Sequence, residues 1–400
     1  MNSQAVDSQA VDSQAVESSR AQRRSPELFL ACLPGLEPWL ERELAELGLP
    51  RPLASEPGGI TIPGDEVTIA RANLECGLAA RALLRVGDMH CRSLGELIRK
   101  TARLPWGEWF VPGPVRVRAE SRRSRLYHRD AIAERVVAGI ALALGTDADA
   151  PPDDDAPSVL ARFVDDHCTL SIDTSGRPLH ERGYRLEPGY APLREDVARA
   201  LVLASGWDRA SPLIDPFAGS GTIAIEAALL ARRLPPGGTR TFAFEATRLC
   251  TGSVLAQVRA AAQAATVPAP PPIHASDRSE EAIGVVGRNA ARAGVGADLR
   301  VATAPLSHSP WQAEVASAGA VVTNPPFGHR LGTPATLAGL YRALGRWLEA
   351  APSTCGIAIL SADRRLTLRT GLPLTTAFLV DPGGTKVRAL VRVSPSSPSP

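Results

Sequence analysis

The stretch from Leu213 to Leu230 constrains the fold more than any other part of this 400-residue chain. Leu213 and Ile214 follow a proline and read as a short buried strand, with Asp215 at its carboxyl end. Pro216-Phe217-Ala218-Gly219-Ser220-Gly221-Thr222 predicts a tight turn, and Ile223 to Leu230 is a run of good helix formers. Strand, glycine turn and helix, in that order, is how a doubly wound sheet builds a ligand crevice at the carboxyl ends of its strands. Gly219 and Gly221 carry no Cβ, so a ligand can approach their backbone closely. Ser220 or Thr222 is expected to cap the helix, whose N-terminus favours a carboxylate or phosphate. This is not the G-x-G-x-x-G dinucleotide pattern, because Ile223-Ala224 follow Thr222, and no Gly-Lys-Ser/Thr forms a phosphate loop.

The segments that follow fit the same sheet. Ile273 to Ser276 reads as the second strand, ending at Asp277, where an acid can accept from ribose hydroxyls. Helix 279–293, strand Leu299 to Ala302, strand Ala318 to Thr323, helix 335–350 and strand Gly356 to Leu360 come next. Thr375 to Val380 and Lys386 to Val393 suggest an antiparallel pair at the edge. Strands alternating with helices predict an α/β, Rossmann-like doubly wound sheet over residues 189–393.

The N-terminal half has another rhythm. Strand Glu27 to Cys32, helix Pro38 to Leu47, strand Gly59 to Ile62, helix Val67 to Ala82 and strand Ala82 to Val86 are α+β and close to a ferredoxin-like unit, assigned to 26–90. A unit over 91–188 opens with a helix at 93–104. A strand from Val115 to Glu120 carries Arg116 and Arg118. The loop holding Arg122, Arg123, Arg125, Tyr127, His128 and Arg129 then enters a helix from Asp130 to Ala143. These eight residues are the candidate nucleic-acid contacts, since such a patch gives sequence-independent contacts to phosphates. An acidic, Pro-rich loop follows at 145–158, then strands at Phe163-Val164 and Cys168 to Asp173. The five-residue repeat within 1–25 and the Ser/Pro run 394–400 read as disordered tails.

Composition narrows the class. The formal net charge is only +2, so the local clustering of arginine carries the nucleic-acid argument. Six scattered cysteines without a C-x-x-C pair argue against a zinc ribbon, an iron–sulfur site or a disulfide framework, and no metal is expected. No apolar run is long enough to span a bilayer and no signal peptide is evident, so a cytoplasmic protein is expected.

The pattern Asp215-Pro216-Phe217-Ala218-Gly219-Ser220-Gly221-Thr222 resembles the first motif of class I S-adenosylmethionine methyltransferases that modify amino groups. The second informative stretch, Asn324-Pro325-Pro326-Phe327, stands at the carboxyl end of the fourth strand. An exocyclic amino group on a base is a poor nucleophile, because its lone pair is delocalised into the ring. A site that methylates it should accept its hydrogens and aim the lone pair at the methyl donor. An Asn oxygen and a proline carbonyl can do this, and proline fixes the local φ. Phe327 can stack on an extruded base. The candidate catalytic residues are therefore Asn324, Pro325, Pro326 and Phe327. The candidate cofactor residues are Asp215, Phe217, Ala218, Gly219, Ser220, Gly221, Thr222 and Asp277.

From Phe29 to Val393 the chain resembles the THUMP-domain RNA methyltransferases that make N2-methylguanosine in ribosomal or transfer RNA. The likeness rests on Leu33-Pro34-Gly35-Leu36-Glu37, Ala72-Asn73-Leu74, Ser124 to His128, Asp173-Thr174-Ser175-Gly176, His180 to Arg185, Pro192 to Glu195, the two catalytic motifs extended to Leu331, Phe242 to Glu245, and Asp277. It implies S-adenosylmethionine as cofactor, structured RNA as partner, a THUMP unit gripping that RNA, and transfer to a guanine N2. Asn-Pro-Pro-Phe fits equally an adenine N6 or a protein glutamine amide, and a non-catalytic RNA-binding protein is the rival of another class. Two departures stand out. Val301-Ala302-Thr303-Ala304-Pro305 has no acid after the third strand to meet the adenine amino group, and no tryptophan lies near Phe244.

Overall fold

The computed structural model describes residues 26–153, 156–186, 193–238, 240–328 and 333–392. The expected tails, and the linker prolines Pro188 and Pro192, lie outside them. Among the described residues the strands form two sheets of seven.

The first sheet has the order β2-β3-β1-β4-β7-β6-β5. β1 (Glu27–Ala31) pairs antiparallel with β3 (Gly59–Pro63) on one side and β4 (Arg81–His90) on the other. β2 (Ala54–Glu56), too short to read from the sequence, extends β3. β4 also pairs with β7 (His167–Asp173), and β7 with β6 (Ser158–Val164), which runs parallel to β5 (Arg116–Arg122). The two units expected at 26–90 and 91–188 thus share one sheet through β4. The helices α1 (Glu37–Glu46), α2 (Glu66–Glu75), α3 (Leu94–Thr101) and α5 (Arg129–Leu144) supply apolar side chains to its core; α4 (Trp106–Trp109) is a single turn. Leu97, Ile132, Val136 and Ile140 are buried in one core with Val159, Ala161 and Phe163. Ser93 caps α3, accepting from the Glu96 amide at 3.2 Å, and Asp65 caps α2.

The helix expected from Val67 to Ala82 stops at Glu75, and β4 is twice the expected strand. The backbone leaves the helix at Cys76 (ψ 122°) because tertiary bonds claim the next amides. Gly77 and Leu78 donate to Glu43 Oε2 at 3.0 and 2.8 Å, and Ala80 donates to the Ala31 carbonyl at 2.7 Å.

The second sheet has the order β10-β9-β8-β11-β12-β14-β13. β8 (Leu213–Asp215), β9 (Ile273–Asp277), β10 (Leu299–Thr303), β11 (Ala320–Thr323) and β12 (Gly356–Ser361) are parallel. β13 (Thr375–Val380) and β14 (Val387–Arg392) close the edge antiparallel. α6 (Glu195–Ala204) leads in, and α7 (Thr222–Arg232), α8 (Gly252–Ala264), α9 (Glu280–Arg292), α10 (Pro334–Trp347) and α11 (Arg364–Leu368) fill the connections.

Bonds that the sequence hid join the two units of the first sheet to each other and then to the second half. Asn73 Nδ2 donates to Thr174 Oγ1 at 2.9 Å, and Ser175 Oγ donates to Asn73 Oδ1 at 2.7 Å, all three residues being buried. Phe242 to Glu245 enters a 3-10 turn whose Phe244 amide reaches the Thr174 carbonyl at 3.1 Å.

Candidate active site

The carboxyl ends of β9, β8 and β11 stand side by side, and they bring both catalytic motifs together. Asp215 ends β8 and is almost wholly buried. Its Oδ1 accepts from the Phe217 amide at 3.1 Å and from Thr323 Oγ1 at 2.8 Å. Thr323 ends β11 and immediately precedes Asn324, so one carboxylate ties the glycine loop to the second motif. Burial pushes the Asp215 carboxyl up to about 7 despite those two donors, and Asp277 nearby adds to the rise.

Gly219 (φ 53°) and Gly221 (φ 85°) both adopt the left-handed region that glycine favours. A Cβ on Gly221 would lie 2.9 Å from Val286 of α9, whereas one on Gly219 would meet nothing within 4 Å. The loop therefore packs on its inner side and is open on its outer side. Three bonds fix it: Gly219 N to Asp277 Oδ2 at 3.1 Å, Ala218 N to the Ser276 carbonyl at 2.9 Å, and Asn289 Nδ2 to the Ser220 carbonyl at 3.0 Å. Phe217 packs beside the smaller core under β11 and β12, and Ala218 is buried in the main one.

The expected cap is not there. Gly221 occupies the N-cap of α7 with no side-chain bond, while Ser220 Oγ and Thr222 Oγ1 meet each other at 3.2 Å. Gly221 takes this place because only glycine tolerates both its φ and its contact with Val286. The first amides of α7 thus lack a side-chain cap and suit an anionic group.

Asp277 is half-buried and is not the cap of α9; Ser279 is, accepting from the Ala282 amide at 3.2 Å. The Asp277 oxygens each take one backbone amide, from Gly219 and Ser279, and keep further lone pairs. Beside it Thr303, exposed, ends β10 in register with Asp277, and Ala304 donates to the Asp277 carbonyl at 2.8 Å.

Asn324 Oδ1 is buried and has no hydrogen-bond partner among the described residues. Such an oxygen costs roughly 1–3 kcal/mol unless a ligand supplies the donor. Pro325 is buried, Pro326 and Phe327 are half-buried, and Phe327 leans on the cluster of Leu337, Tyr341 and Leu366. His329, Arg330 and Leu331 lie outside the described residues. Among the described residues no cluster of acids, histidines or cysteines could hold a metal, and no helix is long and apolar enough to cross a membrane.

The basic candidates gather at one end of the first sheet, with part of their charge answered. Arg118, Arg122, Tyr127, His128 and Arg129 are exposed, and the Tyr127 and His128 rings lie 4.1 Å apart. Arg116 is half-buried and donates to the Asp153 carbonyl at 2.9 Å. Arg123 pairs with Asp165 at 2.8 Å, and the Arg125 amide donates to Asp166 at 2.7 Å. These acids sit in the β6–β7 turn, far along the chain. Thr323, Asn289 and Val286 were not foreseen either; an Asn and a Val inside an amphipathic helix carry no local mark.

This sheet order, with its antiparallel edge and a glycine loop after β8, defines a class I methyltransferase domain. Residues 182–372 match the family model described as RMKL-like, methyltransferase domain, and residues 27–83 match the RlmL ferredoxin-like domain. The chain belongs to this RlmK/L-like methyltransferase family. It is 33% identical to "Ribosomal RNA large subunit methyltransferase K/L" of Marinobacter nauticus, over 79% of this chain and 46% of that protein. It is 30% identical to "Putative RNA methyltransferase YpsC" of Bacillus subtilis, over 79% of this chain and 82% of that one. A solved structure named as a predicted N6-adenine-specific DNA methylase from Listeria monocytogenes superposes with a TM-score of 0.81 at 30% identity, over 92% of this chain and 96% of that one. The chain spans about half the length of the K/L relatives it matches. The methyl donor of this class is S-adenosylmethionine. The residues present suit it: an α7 N-terminus without a side-chain cap for a carboxylate, open space over Gly219, and a half-buried Asp277 for ribose hydroxyls.

Proposed function

We propose that this protein methylates the exocyclic N2 amino group of a guanine in structured ribosomal or transfer RNA, using S-adenosylmethionine. The unpartnered, buried Asn324 Oδ1 carries the reading. It stands beside the glycine loop, through Thr323 and Asp215, and finds no donor among the described residues. When bound, S-adenosylmethionine supplies an electrophilic methyl group, held by the Asp215 to Thr222 loop and Asp277. Asn324 Oδ1 accepts one amino hydrogen and the Pro325 carbonyl the other, which turns the nitrogen lone pair out of the ring. Phe327 stacks on the extruded base. The amino proton leaves for solvent after transfer, so no strong base is required. Residues 91–188 act as a THUMP unit on the RNA through Arg118, Arg122, Tyr127, His128 and Arg129, with Arg123 and Arg125 shaping the loop and Arg116 at the far end of β5. Residues 189–393 form the catalytic unit.

The names of the relatives support RNA as substrate, and the Listeria structure's name keeps adenine N6 as the second reading. The deciding experiment is transfer of labelled methyl from S-adenosylmethionine to purified tRNA and rRNA of a deletion strain, with wild type beside Asn324→Ala. Label released as N2-methylguanosine, and lost by at least a hundredfold in Asn324→Ala with cofactor binding intact, is expected. Label released as N6-methyladenosine would move the target base. No label in either RNA would sink the RNA reading and turn attention to protein amides.

A further inference from the structure

The carboxyl end of β12 carries a basic face that the proposed chemistry leaves unused. From Thr333 to Arg392 the chain holds eight bases against three acids, a net of +5, where the whole chain carries +2. β12 lies beside β11, with Thr323 in register with Ile359, and runs on to Ser361. It therefore ends next to the Asn324-Pro325 stretch, and α11 begins three residues later at Arg364. Leu366 of α11 shares a buried cluster with Leu337 and Tyr341, and Phe327 packs against that cluster. The Tyr341 hydroxyl lies 3.3 Å from Ser361 Oγ, so α10, α11 and the second motif are held together. Arg364, Arg365 and Arg369 of α11 are exposed, and so is Lys386 before β14. Arg388, half-buried, stands opposite Ser361 in the β12–β14 register. None of these five forms an ion pair among the described residues. Asp363 and Asp381 are the acids on this side, and each accepts from two backbone amides. Glu349 lies at the other end of α10.

We propose that Arg364, Arg365 and Arg388 hold the phosphates on either side of the target nucleotide, so that α11 positions the strand while its base sits at Asn324 and Phe327. The inference rests on the RNA reading above. It adds a contact on the catalytic half, separate from the arginines of the first sheet. The site itself selects the occupant. A base extruded into the crevice turns about its own backbone, so its flanking phosphates stay at the crevice mouth. On one side of β11 that mouth belongs to the cofactor, because β8 and β9 end there in Asp215 and Asp277. Two acids and a bound cofactor make that side a poor path for a polyanion. The β12 side is left, and α11 stands on it, fixed to Phe327 through Leu366. Guanidinium forks match phosphate oxygens, and neighbouring arginines can take successive phosphates. A protein glutamine amide brings no such row of charges with it, so the face fits a nucleic acid strand.

The test uses the full chain in the methyl-transfer assay above, at varied RNA concentration. Beside it, fluorescence anisotropy of a fluorescein-labelled RNA hairpin gives affinity across a salt series. The double variant Arg364→Ala, Arg365→Ala should raise KM for RNA about tenfold, leave kcat within about twofold, and lower the salt slope of hairpin binding by about two. Arg364→Lys with Arg365→Lys should restore the slope. Both side chains are exposed, so S-adenosylmethionine affinity and the thermal midpoint should stay at wild-type values. Arg300→Ala removes an exposed arginine from β10, at the opposite edge of the same sheet, and should change neither KM nor slope. Unchanged KM and slope in the double variant overturn the site. An equal effect per charge from Arg300→Ala does so too, because bulk charge would then be the cause. So does poly-glutamate that displaces the hairpin as well as poly-uridylate does, since the face would then suit an acidic protein. If the wild type labels no RNA at all, the proposed chemistry falls, and the salt slopes still decide this site.

Discussion

Four charged side chains meet, buried, where the two halves join. Arg199 of α6 donates to Glu43 of α1 at 2.6 Å and lies 3.7 Å from Glu226 of α7. Arg182 reaches Glu226 at 3.4 Å from the other side. Every one of these side chains is 6% exposed or less. Two acids and two bases make the group neutral, so removing one member leaves an uncompensated charge that water cannot reach. Arg199→Met keeps the bulk and removes the charge, and it should cost about 3–5 kcal/mol. The distances say how that cost divides. Glu43 loses a short charge-assisted bond of roughly 1.5–3 kcal/mol and keeps the Gly77 and Leu78 amides. Glu226 loses only a 3.7 Å approach and keeps Arg182. A double-mutant cycle between Arg199→Met and Glu43→Gln should therefore give a coupling of about 2–3 kcal/mol, and one with Glu226→Gln about 1 kcal/mol or less. Urea unfolding followed by tryptophan fluorescence measures both. Glu226 is one turn past Thr222, so the network seats the helix that presents the glycine loop. Cofactor affinity should fall alongside stability in Arg199→Met. A cost under about 1 kcal/mol, or equal couplings to the two acids, would refute the reasoning.

What the sequence disclosed was what local pattern decides. The strand at Leu213 to Asp215, its glycine turn and the alternation that follows depend on residues next to one another. They placed the second sheet and brought Asp215, Asp277 and Asn324 to its carboxyl edge. Where tertiary contacts overrode local pattern, the reading failed. The apolar stretch after Glu75 looked helical, yet its amides bond to Glu43 and Ala31, and a Cβ at Gly77 would lie 2.1 Å from Arg199. The cap of α7 was misjudged because the choice between Ser220, Gly221 and Thr222 is made by Val286, far along the chain. The basic loop showed its arginines but not the acids that answer Arg123 and Arg125, because Asp165 and Asp166 are distant in sequence. The oxygen of Asn324, without a partner among the described residues, has no sequence mark at all.

Two further outcomes follow from single positions. Thr303 is exposed at the end of β10 beside Asp277, where an acid could meet an adenine amino group. Thr303→Asp should tighten S-adenosylmethionine about tenfold by calorimetry, the worth of one hydrogen bond to a charged group after its costs; unchanged or weaker affinity would place the adenine elsewhere. Asp215 gives a pH dependence whose sign is fixed by burial. Its folded carboxyl titrates at about 7, against about 3.9 for an unfolded Asp. Between those values the folded state holds a proton that the unfolded state has released, so stability falls as pH rises from about 4 to about 7 and then levels off. Glu195, pushed up to about 7 mainly by its own burial, adds a slope of the same sign. Asp215→Asn keeps an oxygen for Thr323 and Phe217 to donate to and removes only Asp215's share. Urea midpoints measured from pH 5 to 8 should therefore fall less steeply in Asp215→Asn than in the wild type. Identical slopes in the two proteins would mean that Asp215 is ionised in the folded state throughout, and that its site is wetter than its burial implies.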